Sequence, residues 1–109
     1  MPNENAARIA ALNDAFRKSF VGGRVVATPS VMHSPYRKQI IEAVQRYEFQ
    51  GIDGNNPYGE NDFLSVIVNG NQFFGKIDYY DNNLEMHSPD PSDPKVTKRV
   101  LTIMHSSEY

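Results

Sequence analysis

"FLSVIVNGNQFFGKIDYY" occupies residues 63–80, and the reading of its centre decides the fold. Asn69-Gly70 is a dipeptide that accepts positive φ at both central positions of a two-residue turn, so it closes a β-hairpin. Around that turn Val68 faces Asn71, Val66 faces Phe73 and Leu64 faces Gly75. With Ile77 and Tyr79 they form one continuous apolar face. The opposite face carries Ser65, Ile67, Gln72, Phe74, Lys76, Asp78 and Tyr80. That face is mixed, which suits a half-covered surface or one that meets a partner.

Working outward, residues 4–20 read as an amphipathic helix. Ile9, Leu12, Phe16 and Phe20 recur at three- and four-residue spacing, with Ala6 and Ala10 or Ala11 filling in. Arg8, Asp14, Arg17 and Lys18 fall on the other faces, Asn3 or Asn5 caps the start, and Gly22-Gly23 ends the helix. "RVVAT" (24–28) is a short β-branched strand closed by Pro29. Ser34-Pro35 signals a second helix running to about residue 48. Its buried stripe is Ile40, Ile41, Val44 and Tyr47, while Arg37, Lys38, Glu42, Gln45 and Arg46 face water.

A connection of about fourteen residues (49–62) follows, long enough to suggest function or mobility. It contains "GNNPYGENDF" (54–63), in which Asn55, Asn56, Pro57 and Gly59 build turns and Tyr58 is expected to tuck in as an anchor. The prolines of "DNNLEMHSPDPSDP" (81–94) rule out regular structure there. "KRVLTIMHSSEY" (98–109) has Val100, Leu101, Ile103 and Met104 on both faces, the mark of a central strand or of one pairing across an interface. The order helix, strand, helix, three strands predicts an α+β fold: two helices on one face of a small, mostly antiparallel sheet, a single domain over 1–109.

The chain has 109 residues and no cysteine, which excludes disulfides, zinc-thiolate sites and a thiol nucleophile. That composition, the absence of a long apolar run and an N-terminus without a basic-then-apolar signal predict a soluble, cytoplasmic protein. Net charge is −2, unevenly spread. Residues 1–50 carry seven Lys or Arg against four Asp or Glu; residues 51–109 carry four against nine. The second half is a candidate acidic face for a basic partner.

"ALNDAFR", "GGRVVAT", "NPYGENDF", "KIDYYD", "SPDPSDP" and "RVLTIM..SEY" together resemble the uncharacterised domain-of-unknown-function family 3768 across nearly the whole chain. This chain has "GENDF" where a "GEHDFG" type of segment is commoner. The resemblance implies no reaction and no functional residues. It implies a proteobacterial setting, often on plasmids and other mobile elements, and hence a protein acting on host defence or plasmid transfer.

Four groups of residues are candidates for chemistry. Asp53, Glu60, Asp62, Asp78, Asp81, Glu85, Asp90 and Asp93 are acidic, but "DGNNPYGEND" misses the calcium-loop pattern and such residues commonly cap turns. His33, His87 and His105 lack metal-site spacing. Lys76, Asp78, Tyr79 and Tyr80 would meet His105 across neighbouring strands for acid–base work, Lys76, Asp78 and Tyr80 sharing a strand face, or else a Lys–Asp pair simply solubilises the sheet. Arg8, Arg17, Lys18, Arg24, Arg37, Lys38 and Arg46 would suit phosphates, though no nucleic-acid signature is present.

The expectation is therefore a non-enzymatic protein-binding module with no cofactor, metal or catalytic residue. Its contacts would be Tyr58, Glu60, Asp62, Asp78, Tyr80, Asp81, Glu85, Asp90 and Asp93. The leading specific reading is an anti-CRISPR or anti-restriction type of inhibitor acting on a host protein or nucleoprotein complex, with a homodimer as a weaker expectation. One alternative is a small metal-dependent or hydrolase-like enzyme built on Lys76, Asp78, Tyr80 and the loop carboxylates. Another is a DNA-binding accessory of plasmid maintenance.

Overall fold

The computed structural model describes residues 4–51, 54 and 56–109. Asn3, Asp53 and Asn55, read as a helix cap, a loop carboxylate and a turn residue, lie outside them. The chain runs α1 (Glu4–Ser19), β1 (Gly23–Ala27), α2 (Pro29–Met32), α3 (Arg37–Arg46), β2 (Phe63–Val68), β3 (Asn71–Tyr80), β4 (Lys98–His105) and a 3₁₀ turn (Ser106–Glu108). It is an α+β fold whose sheet has the strand order β1-β4-β3-β2.

The hairpin has the expected register. Leu64 pairs with Gly75, Val66 with Phe73 and Val68 with Asn71. Asn69 and Gly70 both have positive φ, 51° and 77°. β3 then pairs antiparallel with β4, so Gly75 meets Ile103 and Ile77 meets Leu101. β4 is central, as its two-sided apolar pattern predicts. Two of the three pairings are antiparallel, as expected of a mostly antiparallel sheet, and β1 is the exception: it lies parallel to β4, with Gly23 beside Arg99 and Ala27 beside Ile103. Parallel neighbours need a long crossover, and everything between β1 and β4 supplies it.

The helix-side face of the sheet builds the core. Leu64, Phe73, Ile77, Leu101 and Ile103 pack with Ile9, Phe16, Val31, Ile40 and Val44 in one buried cluster, while Val66 is only partly buried. Each of the large buried side chains contributes about 1.5–3 kcal/mol of transfer free energy. Two boundaries differ from expectation. Pro29 opens the one-turn α2, which buries Val31, because proline is tolerated in a first helical turn. α3 begins at Arg37, and the Ser34 hydroxyl accepts the Tyr36 backbone N–H at 3.0 Å in a turn ahead of it.

The connector 81–94 is irregular and anchored. Ser88 donates its backbone N–H to the Tyr79 carbonyl at 3.0 Å, and its buried hydroxyl lies 2.7 Å from that of Thr97. The Asp81 carboxylate accepts the backbone N–H groups of Asn83 and Glu85, and the Asp90 carboxylate accepts the backbone N–H and the hydroxyl of Ser92. These bonds hold both carboxyls below the ordinary carboxylate range.

Two glycine substitutions separate strain from clash. Gly70→Ala meets no neighbour but forces a left-handed backbone, at a cost of about 1 kcal/mol. Gly23→Ala would set its Cβ 2.5 Å from the Arg99 carbonyl oxygen across the β1–β4 pair. It is expected to cost about 3 kcal/mol. Urea unfolding of the two variants should preserve that order.

Candidate functional site

The sequence pattern puts Arg17 in water; the structure buries it to 1% exposure. Its Nη1 donates to the Val44 and Gln45 carbonyls, both at 2.9 Å. Those oxygens end α3, where carbonyls run short of donors, Val44 having a long 3.4 Å bond from the Tyr47 N–H, and a cation is favoured. Nη2 pairs with Asp14 at 3.2 Å, and the guanidinium lies 5.4 Å from the Phe49 ring centroid. Arg17 is thus removed from any phosphate-binding surface.

Asn13, fully buried, is the hub of a second network. Its Nδ2 donates to the Glu60 carbonyl at 2.9 Å and to the Tyr79 hydroxyl at 2.8 Å. Its Oδ1 accepts from Arg99 Nε at 2.7 Å. Tyr79 passes its own proton toward Glu60 Oε1 at 3.0 Å, and Arg99 also donates to the Pro91 carbonyl. Burial pushes the Tyr79 phenol up and the Arg99 guanidinium down. One asparagine therefore joins α1, β3, β4 and the long connection.

The connection is pinned by asparagines, not by Tyr58. Buried Asn56 donates to Gly51 and Asn61 and accepts the Asn61 backbone N–H at 2.9 Å. Asn61 in turn donates to Asp14 at 3.1 Å. Tyr58 is 75% exposed and points outward, contrary to the expected anchor.

With the connection held in this way, a cleft of about 550 Å³ opens on the side of the sheet away from the helices. Tyr58, Asp62, Phe63, Phe74, Lys76, Asp78 and Tyr109 are among its walls. The Tyr109 ring meets Phe63 and Phe74 edge-on, each at 5.6 Å between centroids. Lys76 Nζ sits 3.5 Å from Asp78 Oδ1 and 5.9 Å from the Tyr109 centroid. Among the described residues no cation lies within ion-pair distance of Asp62. Burial holds its carboxyl above the ordinary range, and the charges of Glu60 and Asp78 push the same way. A smaller adjoining cleft of about 280 Å³ shares Asp62 and Asp78 and adds Tyr80 and His87.

The expected contact residues thus divide. Tyr58, Asp62, Asp78 and Tyr80 gather around the two clefts. The side chain of Glu60 is engaged with Tyr79. Asp81, Asp90 and Asp93 hold turns, and Glu85 is exposed away from the clefts' walls. His105 does not join Lys76 and Asp78: the register sets it opposite Phe73, on the other face. Among the described residues no three His, Asp or Glu converge as a metal site. Asn13, Arg99 and Tyr109 went unanticipated. Two of them carried a signal, since Asn13 follows Ile9 by one helical turn and Arg99 is in phase with Leu101 and Ile103.

A family model described as protein of unknown function (DUF3768) matches residues 25–108. The chain belongs to this family. No curated protein and no solved structure matches it. Family membership therefore brings no assigned reaction, and the open face rests on its own chemistry.

Asn13→Ala would strand Arg99 Nε and take away the amide donor to the Glu60 carbonyl and the Tyr79 hydroxyl, and is expected to destabilise by about 3 kcal/mol in urea melts. Asp62 behaves oppositely. A raised folded pKa means that the folded state binds the proton more tightly, so stability falls as pH rises from about 4 through the folded value. Asp62→Asn should therefore melt higher than wild type at neutral pH, with the gap closing in acid.

Proposed function

We propose that this chain is a small non-enzymatic protein-binding module, and that the open sheet face meets the partner. The observation that carries this is the cleft itself. Two tyrosines about three-quarters exposed, Tyr58 at 75% and Tyr109 at 74%, flank half-buried Phe63 and Phe74 and an uncompensated carboxylate. Exposed tyrosines beside apolar and charged groups are what interface anchors are made of. Keeping Asp62 ionised without a counter-charge costs stability, which supports a role outside folding. The finer reading is a cytoplasmic inhibitor of anti-CRISPR or anti-restriction type, carried by a mobile element. A nucleic-acid-handling defence complex offers the basic surfaces that an acidic, aromatic face fits. Homodimer formation would use Ile67, 74% exposed on edge strand β2.

A second reading has one observation in its favour. A carboxyl with raised proton affinity beside a second carboxylate in a cleft suits general acid chemistry by Asp62 and Asp78. Among the described residues no helix is long and apolar enough to cross a membrane.

Affinity capture from the host lysate tests the binding reading. One stoichiometric protein should co-purify with wild type and be lost with Tyr58→Ala/Asp78→Asn, while circular dichroism stays unchanged. Undiminished capture by that double variant would remove the cleft from the interface. Turnover abolished by Asp78→Asn with binding intact would favour the enzyme.

A further inference from the structure

We propose that the open-face cleft is a receptor for a guanidinium: it takes an arginine side chain from an extended segment of the partner protein. This deepens the binding reading and rests on it for the location of the interface. The first ground is that a cation already sits at the cleft. The Lys76 ammonium lies 3.5 Å from Asp78 and 5.9 Å from the Tyr109 ring centroid, at a distance where ring faces attract cations. It marks the electrostatic preference of the site, and being about 41% exposed it is free to swing out.

The second ground is what Lys76 leaves unsatisfied. Among the described residues Asp62 lines the same cleft without a cation in reach, and the walls carry two carboxylates against one lysine. A second positive group completes the balance. The third ground is shape. Tyr58, Phe63, Phe74 and Tyr109 supply ring surface around a space of about 550 Å³, within the range of ordinary ligand sites. A guanidinium is planar and weakly hydrated; it stacks on a ring while donating two N–H groups to a carboxylate. An ammonium cannot do both with the same geometry. The bound arginine would stack against a tyrosine ring and donate to Asp62, leaving Lys76 with Asp78 or displacing it.

Titration of the ¹⁵N-labelled chain with the peptide acetyl-Gly-Arg-Gly-amide, followed by NMR, tests this. Saturable shifts are expected at Asp62, Phe63, Asp78 and Tyr109. The peptide with citrulline in place of arginine, neutral and nearly the same shape, should bind about tenfold more weakly. Asp62→Asn, its fold checked by circular dichroism, should weaken arginine binding about fivefold, and Lys76→Met should tighten it about threefold by freeing Asp78. Equal binding of the citrulline peptide, no change with Asp62→Asn, or shifts elsewhere on the surface would overturn the proposal. If the arginine peptide fails while Tyr58→Ala/Asp78→Asn still loses the captured partner, the interface stands and only its arginine ligand falls. If the peptide binds but capture is indifferent to that double variant, the interface assignment falls instead.

Discussion

Asn13 makes three hydrogen bonds from one fully buried amide, and most of the architecture around the clefts follows from them. The bond to Glu60 holds the long connection against α1; the bond to Tyr79 holds β3; the bond from Arg99 holds β4. A buried amide with both ends satisfied rigidifies its surroundings, whereas a half-satisfied one is costly. The network also solves the placement of Arg99. A guanidinium facing the helices needs acceptors, and Asn13 and the Pro91 carbonyl provide them while the Tyr79 ring lies 5.3 Å away. Arg17 repeats the logic one turn further along α1, where its guanidinium caps the end of α3.

This polar interior divides the labour between the faces of the sheet. The helix side is filled and closed, and among the described residues Arg17 Nε is the one buried side-chain polar atom there without a hydrogen bond. The other side keeps its charges and rings only partly neutralised. Asp62 belongs to the same connection that Asn56, Asn61 and Glu60 pin from within. The rigid underside therefore fixes the position of a carboxylate that the fold itself does not need. Tyr58, on the same connection, is presented outward for the same reason.

What the sequence made legible was local. Asn69-Gly70 fixed the hairpin register because turn chemistry and period-two alternation act over a few residues. The shared face of Lys76, Asp78 and Tyr80 followed from that same alternation, and the central position of β4 from its two apolar sides. What was hidden depends on partners far along the chain. Arg17 looks like a surface residue until its acceptors at residues 44 and 45 are known, and Arg99 until it meets Asn13, 86 positions away. Tyr58 seemed an anchor because an aromatic in a polar loop usually needs cover; Asn56 supplied the anchoring instead. Tyr109 gave no sign that it would fold back over Phe63 and Phe74.

The parallel seam between β1 and β4 has a temporal side. Its partners are Gly23 with Arg99 at one end and Ala27 with Ile103 at the other. During synthesis β1 emerges early and has nowhere to dock until β4 has left the ribosome. Such distant pairing closes a large loop and slows folding. Until then a nascent chain would expose Val25 and Ala27, together with the sheet-facing side of the early helices, to chaperones and to neighbouring polypeptides.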